Sequence, residues 1–235
     1  MGLDPAQDAY GEILLAVLEG RRACEIIERE DGVIWCGDPA GYLAPHRRWP
    51  AAERTALRTA RGRVLDVGCG AGRVSLHLQD RGLEVVAVDE SPGAVEVARR
   101  RGVRDARVLA LGELGPQLGP FDTVLILRNN MGLAGPGRGA GALALLDPLV
   151  APGGRIITDS VDPRRVDLPE LRSRDCRAAR IRVRWRDRAS PWFHYLMVPV
   201  DEMRALAESA GWRVARVAED ATPRYVVELT RPDEA

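Results

Sequence analysis

Apolar residues along this chain change their period twice, and each change marks a change of element. Between residues 8 and 29, Ile13, Leu14, Val17, Leu18, Cys24 and Ile27 fall on one stripe, which predicts an amphipathic helix packed on its own domain. From 31 to 50, glycines, prolines and aromatic residues (Trp35, Tyr42, Trp49) predict an ordered loop leading into a short helix that starts near Pro50. Beyond Arg63 short β-branched runs alternate with helical stretches. Strands are predicted at 64–67, 84–88, 106–110, 121–127 and 155–158. Helices are predicted at 72–81, 91–101 and 140–150, the second opened by Ser91-Pro92 and the third stopped by Ala151-Pro152-Gly153-Gly154. This alternation predicts a doubly wound α/β fold: a mostly parallel sheet, helices on both faces, right-handed crossovers.

After Asp159 the period becomes two. Ile181, Val183 and Trp185 fall on one side, and Arg180, Arg182, Arg184, Arg186 and Arg188 on the other. With Ala189-Ser190-Pro191 and the aromatic run from Trp192 to Val198, this predicts an antiparallel hairpin, about residues 176–199, inserted on the sheet. A helix at 201–210 and a strand pair at 212–217 and 225–230 complete the pattern. Residues 1–61 are thus read as an N-terminal helical cap or lid, and 62–235 as the α/β domain.

Composition narrows the chemistry. The chain has 235 residues, enough for one substantial core, and its 46% hydrophobic and 29% charged content is that of a folded protein. No apolar run approaches the roughly 20 residues that cross a bilayer, and the first residues are acidic where a signal peptide is basic, so a cytoplasmic, non-membrane protein is expected. Cys24, Cys36, Cys69 and Cys176 form no Cys-x-x-Cys pair, so reduced thiols and no metal site are expected. All 34 basic residues are arginine, which excludes Schiff-base, pyridoxal-phosphate and P-loop lysine chemistry. Acidic residues also number 34, a balance that argues against whole-surface attraction to nucleic acid.

Gly68-Cys69-Gly70-Ala71-Gly72 ends the first core strand and opens a helix. Glycine there lets the backbone turn sharply and approach a ligand, and the helix start offers N–H groups. Asp89, ending the next strand, can accept from a ribose diol. A dinucleotide fingerprint would need a third glycine where Arg73 stands, which disfavours a nicotinamide cofactor. Val64-Leu65-Asp66-Val67-Gly68-Cys69-Gly70-Ala71-Gly72-Arg73, followed by Val85-Val86-Ala87-Val88-Asp89-Glu90-Ser91, resembles the first two motifs of the class I S-adenosylmethionine-dependent methyltransferases. The likeness extends through Phe121-Asp122-Thr123-Val124-Leu125 and Pro152-Gly153-Gly154, covering about residues 62 to 160.

That resemblance implies a seven-stranded Rossmann-like sheet, S-adenosylmethionine as cofactor and S-adenosylhomocysteine as product. It implies cofactor contacts from Asp66, Gly68, Cys69, Gly70 and Gly72, with Asp89 on the ribose and Glu90 and Ser91 beside the adenosine. Gly112 and Glu113, after the third strand, would approach adenine, although Leu111-Gly112-Glu113 departs from the Asp many relatives carry there. Arg128, Asn129 and Asn130 follow the fourth strand, at the edge that cofactor and acceptor share in the family, where paired amides can grip a polar acceptor. Tyr42 and Arg47 resemble lid residues over the cofactor carboxylate. His77 reads as packing or surface, while His46 and His194 lie on segments that could cover the pocket and are each a possible base. His194, on the aromatic strand expected to wall the acceptor pocket, is the candidate chosen. Asp159 is a further polar candidate.

The function expected is methyl transfer to a small-molecule acceptor, with no nucleic-acid or membrane partner and with a homodimer among the open oligomeric states. Two alternatives stay open. One is a binder that uses the sulfonium for other chemistry, and the other is a nucleic-acid methyltransferase using the arginine row.

Overall fold

The computed structural model describes residues 2–134, 139–167 and 178–232. Asp8 caps the first helix, α1 (Ala9–Leu18), by accepting from the Gly11 N–H. Gly20, with φ of 72°, carries the chain out of that helix in the left-handed region that glycine tolerates. The predicted helix to residue 29 therefore stops early. Beyond it the β-branched residues Ile26 and Ile27 lie in a strand, β1 (Glu25–Arg29), which turns back as β2 (Ile34–Gly37) within the stretch read as loop. The helical spacing of Cys24 and Ile27 was accidental, because glycine outweighs two apolar positions.

The same hairpin corrects the thiol expectation. Cys24 and Cys36 are joined as a disulfide, with Cα atoms 5.9 Å apart. Antiparallel pairing, not local spacing, brings them together. Cys69 is a buried free thiol, and Cys176 lies outside the described residues.

From here the predicted alternation holds. The elements are α2 (Ala51–Ala56), β3 (Arg63–Val67), α3 (Arg73–Asp80), β4 (Glu84–Asp89), α4 (Pro92–Arg100), β5 (Ala106–Val108), β6 (Phe121–Ile126), α5 (Gly139–Leu146) and β7 (Val150–Val161). They continue with β8 (Ala178–Trp185), β9 (Arg188–Ala189), β10 (Phe193–Leu196), α6 (Val200–Ser209), β11 (Arg213–Glu219) and β12 (Arg224–Thr230). Seven strands form one sheet in the order β11-β12-β7-β6-β3-β4-β5, the mostly parallel α/β sheet expected. The arginine-rich hairpin is placed differently: β8 pairs with β1, and a second, antiparallel sheet runs β10-β8-β1-β2 with β9 beside β8. Missing β1 and β2 in the sequence left β8 without its true partner.

Two compact units organise the packing. The first comprises Met1–Arg48, Asp66–Glu113 and Arg180–Phe193; the second comprises Trp49–Leu65, Leu114–Ala179 and His194–Ala235. In the first, Leu14, Ala71, Ala94 and Val97 pack together, and Ala9 and Ile13 meet Val183. The second buries Phe121, Leu125, Leu143, Leu146, Trp212 and Tyr225. None of the described helices is long and apolar enough to cross a membrane.

Candidate functional site

Gly68, Gly70 and Gly72 all take positive φ (70°, 53° and 71°), which bends the chain between β3 and α3. The N–H groups of Gly68 and Cys69 donate to the Val88 carbonyl, fastening the loop to the end of β4. Gly72 packs so closely that a Cβ would stand 3.1 Å from that of Ala98. At Gly70 a Cβ would lie 2.7 Å from the Tyr10 hydroxyl. A side chain at Gly70 would have to displace that phenol and hold a positive φ, both of which favour glycine.

Asp89 turns its carboxylate into this loop. Its Oδ2 accepts from the Gly70 N–H at 2.8 Å and its Oδ1 from the Ser91 N–H at 2.9 Å. Burial pushes its pKa up to about 6; the two N–H donors oppose that rise, while Glu90 and Asp8 add to it. A carboxylate has about four lone-pair sites, so acceptor capacity remains for a vicinal diol. Asp66, also buried, accepts from the Ser75 hydroxyl at 2.6 Å and fixes the base of the loop. Burial, then Asp89 and Asp66, raises the Cys69 thiol far above its usual range, which makes it a packing group and not a nucleophile.

The remaining predicted contacts of this unit divide. Ser91 caps α4 through the Ala94 N–H. Glu90 is exposed as a residue, yet partial desolvation and then Asp8 raise its carboxyl. Glu113 accepts from the Ala110 N–H at 3.0 Å, and Gly112 beside it is exposed. Tyr42 donates to the Glu25 carboxylate at 3.1 Å and sets its ring edge-to-face on Tyr10 at 5.2 Å. Arg47 is exposed on a short 3-10 turn. His46 and His77 stack at 4.0 Å, and burial, then His46, lowers His77.

The second unit holds a network of its own at the ends of β6 and β7. Arg128 and Asn129 take φ of 66° and 63°, left-handed backbone that costs a non-glycine residue about 1 to 2 kcal/mol each. Asp159 holds the turn by accepting the Asn129 N–H at 2.6 Å. The Asn129 amide donates to the Leu196 carbonyl at 3.0 Å and accepts from the Ser160 hydroxyl at 2.9 Å. Both ends of that side chain are engaged by the protein, so Asn129 shapes its surroundings from a fully buried position. Ser160 also accepts the Val198 N–H, and the Tyr225 hydroxyl donates to the Val198 carbonyl at 2.6 Å. Arg224 reaches the other Asp159 oxygen at 2.6 Å. Burial would lower that guanidinium, but Asp159 outweighs it and Tyr195 adds to the rise. Asn130 is half-buried and His194 exposed.

Sequence reasoning missed Asp8, Tyr10, Ser160 and Arg224. Asp8 carried a helix-capping signal, but its partners lie 83 and 85 positions away. Tyr10 falls on the flank of the first apolar stripe, which hides a hydroxyl in a helical pattern.

Residues 64–154 match the family described as methyltransferase domain. Across nearly its whole length the chain is similar to a SAM-dependent methyltransferase from Bacteroides fragilis solved with S-adenosyl-L-homocysteine, at 27% identity and a TM-score of 0.86, covering 98% of each chain. These likenesses support the class I S-adenosylmethionine-dependent methyltransferase superfamily. The CcbJ methyltransferase of Streptomyces caelestis shares the fold, at 17% identity and a TM-score of 0.64, with 96% of this chain and 98% of that one covered. A ubiquinone biosynthesis O-methyltransferase of Xylella fastidiosa (strain 9a5c) is 33% identical over 130 residues, 53% of this chain and 51% of that one. The chain thus spans about half the length of the curated relatives it matches. The family match runs from β3 into β7, so Asp8, Tyr10, Asp159 and Arg224 all lie outside it.

Proposed function

We propose that this chain transfers the methyl group of S-adenosylmethionine to a small-molecule acceptor and releases S-adenosylhomocysteine. The observation that carries this reading is the Asp89 carboxylate, clamped by the Gly70 and Ser91 N–H groups beside a loop whose positive φ angles and tight packing at Gly72 favour glycine. A ribose diol needs such acceptors, and the rest of a nucleoside with a methionine tail needs such a close backbone. Asp66, Gly68, Cys69 and Gly72 set the loop, Glu90 and Ser91 flank the adenosine, Gly112 and Glu113 lie toward the base, and Tyr42 and Arg47 belong to the cover. The cofactor, when bound, supplies a methyl group on a positively charged sulfur. What the protein must add is mainly alignment and exclusion of water, and orientation can lower a barrier by about 7 to 11 kcal/mol.

On the acceptor side Arg128, Asn129 and Asn130 shape the edge beyond β6, and His194 is the candidate to take the acceptor's proton. Replacing His194 by Ala then lowers turnover by about 100-fold and spares cofactor affinity. Arg182 and Arg184 pair with Glu28, and Arg182 lies over the Trp192 ring, which supports reading the arginine row as a self-neutralised face and not a nucleic-acid groove. The curated relatives named as O-methyltransferases favour a hydroxyl acceptor. The experiment is incubation with methyl-labelled S-adenosylmethionine, a metabolite extract and added RNA, followed by mass spectrometry. Label in a small product, with S-adenosylhomocysteine released, supports the reading; label in the RNA, or cofactor consumed without any methylated product, contradicts it.

A further inference from the structure

Asp8 does more than a helix cap requires. One oxygen suffices to cap α1, and Oδ1 does so by accepting the Gly11 N–H at 2.8 Å. The same carboxylate also accepts the Ser91 hydroxyl at 2.7 and 2.9 Å, and the Gly93 N–H at 2.8 Å on Oδ2. It is 4% exposed and stands at the N-termini of two helices, α1 and α4, whose dipoles both favour an anion there. Small residues make this reach possible: a Cβ on Gly11 would stand 2.7 Å from the Gly93 Cα, so the helices cross nearly backbone to backbone.

The links run on to the cofactor loop. Ser91, held by Asp8, donates its N–H to Asp89, and Asp89 accepts from Gly70. Two residues beyond Asp8 on α1, the Tyr10 hydroxyl lies over that same Gly70. We propose that Asp8 is a positioning residue of the cofactor site: one carboxylate fastens α1 to the first turn of α4 and thereby sets Ser91, Asp89 and Tyr10 around the glycine loop. This rests on the reading of the loop as the S-adenosylmethionine site.

A purely structural cap would not need a second buried carboxylate here. Asparagine caps as well as aspartate, without placing a like charge beside Asp89. The groups facing Asp89 are the N–H donors of Gly70 and Ser91, the Cys69 thiol, Glu90 and Asp8, and the last two raise its carboxyl. Asp8 therefore sets the geometry around Asp89 and adds a small upward push to a carboxyl that burial has already raised.

The test is calorimetric titration of the full chain with S-adenosylhomocysteine between about pH 5 and pH 8, for the native protein, Asp8→Asn, Asp8→Ala and Ser91→Ala. In Asp8→Asn the amide nitrogen cannot accept from Gly93, so affinity at neutral pH should fall about tenfold, while removal of the like charge moves the pH midpoint of binding downward. Asp8→Ala should lose more. Ser91→Ala should weaken binding similarly to Asp8→Asn, and the double variant should fall little further because the two act through one link. Folding is followed by circular dichroism; should an Asp8 variant not fold, Ser91→Ala decides, and native affinity in it overturns the inference. Folded Asp8 variants that bind within about twofold of native, with an unmoved midpoint, also overturn it. A native protein that fails to bind S-adenosylhomocysteine at any pH removes the cofactor reading itself, a distinct failure.

Discussion

Asp89 in the first unit and Asp159 in the second are both buried near strand ends, and each accepts a backbone N–H from the loop it serves. Only Asp159 has a cation against it, since Arg224 fills its second oxygen. Asp89 has N–H donors alone among the described residues, and burial carries it to about pH 6. The difference separates two tasks. A carboxylate closed by a guanidinium is spent on holding a strained turn, whereas one held only by N–H groups keeps acceptor capacity for a ligand.

The largest expected effect breaks the closed pair. Arg224→Ala leaves Asp159 buried without its partner and should cost about 3 to 5 kcal/mol of stability, read by urea unfolding. Loss below about 1 kcal/mol would place the pair among weak surface bridges and erase the contrast.

Next come changes to the open site. Asp89→Ala should weaken S-adenosylhomocysteine binding by about 1.5 to 3 kcal/mol, the worth of charge-assisted hydrogen bonds. Gly70→Val should do worse, because its Cβ enters the space under Tyr10 at a positive φ. Asp89 also has a signature in stability. Its folded pKa, about 6, lies above the unfolded value of 3.8, so the folded state holds the proton more tightly. The cost of burying the ionised form is therefore fully present above about pH 6 and disappears as pH falls below the unfolded value, on the order of 2 to 3 kcal/mol. Asp89→Asn should remove that slope, as chemical denaturation at a series of pH values will show. A slope unchanged in the variant would assign it elsewhere.

The smallest effect concerns the arginine row. Changing Arg182, Arg184 and Arg186 together to Ser should alter stability by no more than about 1 kcal/mol and leave cofactor affinity unaltered, since the pairs to Glu28 are partly exposed. Strong, salt-dependent RNA binding by the native protein that this variant loses would reverse the assignment.

From β3 to β7 the fold was legible because strand and helix periods alternate cleanly, whereas β8 was placed on the wrong sheet because its partner β1 went unread. Residues 20 to 37 misled: Cys24 and Ile27 extended a helical stripe past Gly20, and a four-residue strand such as β2 leaves little periodicity to read. The glycine loop and Asp89 were legible because one short segment of chain carries the chemistry. Asp8 and the Asn129, Ser160 and Arg224 network were not, because each depends on partners 30 to 85 residues away. Asn129 was read as a ligand group from its type, and the structure shows its amide engaged with Leu196 and Ser160.

The central claim is that the loop held by Asp89 binds the adenosine shared by S-adenosylmethionine and its product, through an ionised carboxylate. Calorimetric titration of the native protein with S-adenosylhomocysteine, and separately with NAD, at neutral pH and near pH 5 tests it most directly. The account predicts saturable S-adenosylhomocysteine binding that NAD does not displace and that weakens about tenfold near pH 5, as Asp89 takes up its proton. NAD binding in place of S-adenosylhomocysteine, or an affinity flat across that range, would contradict it.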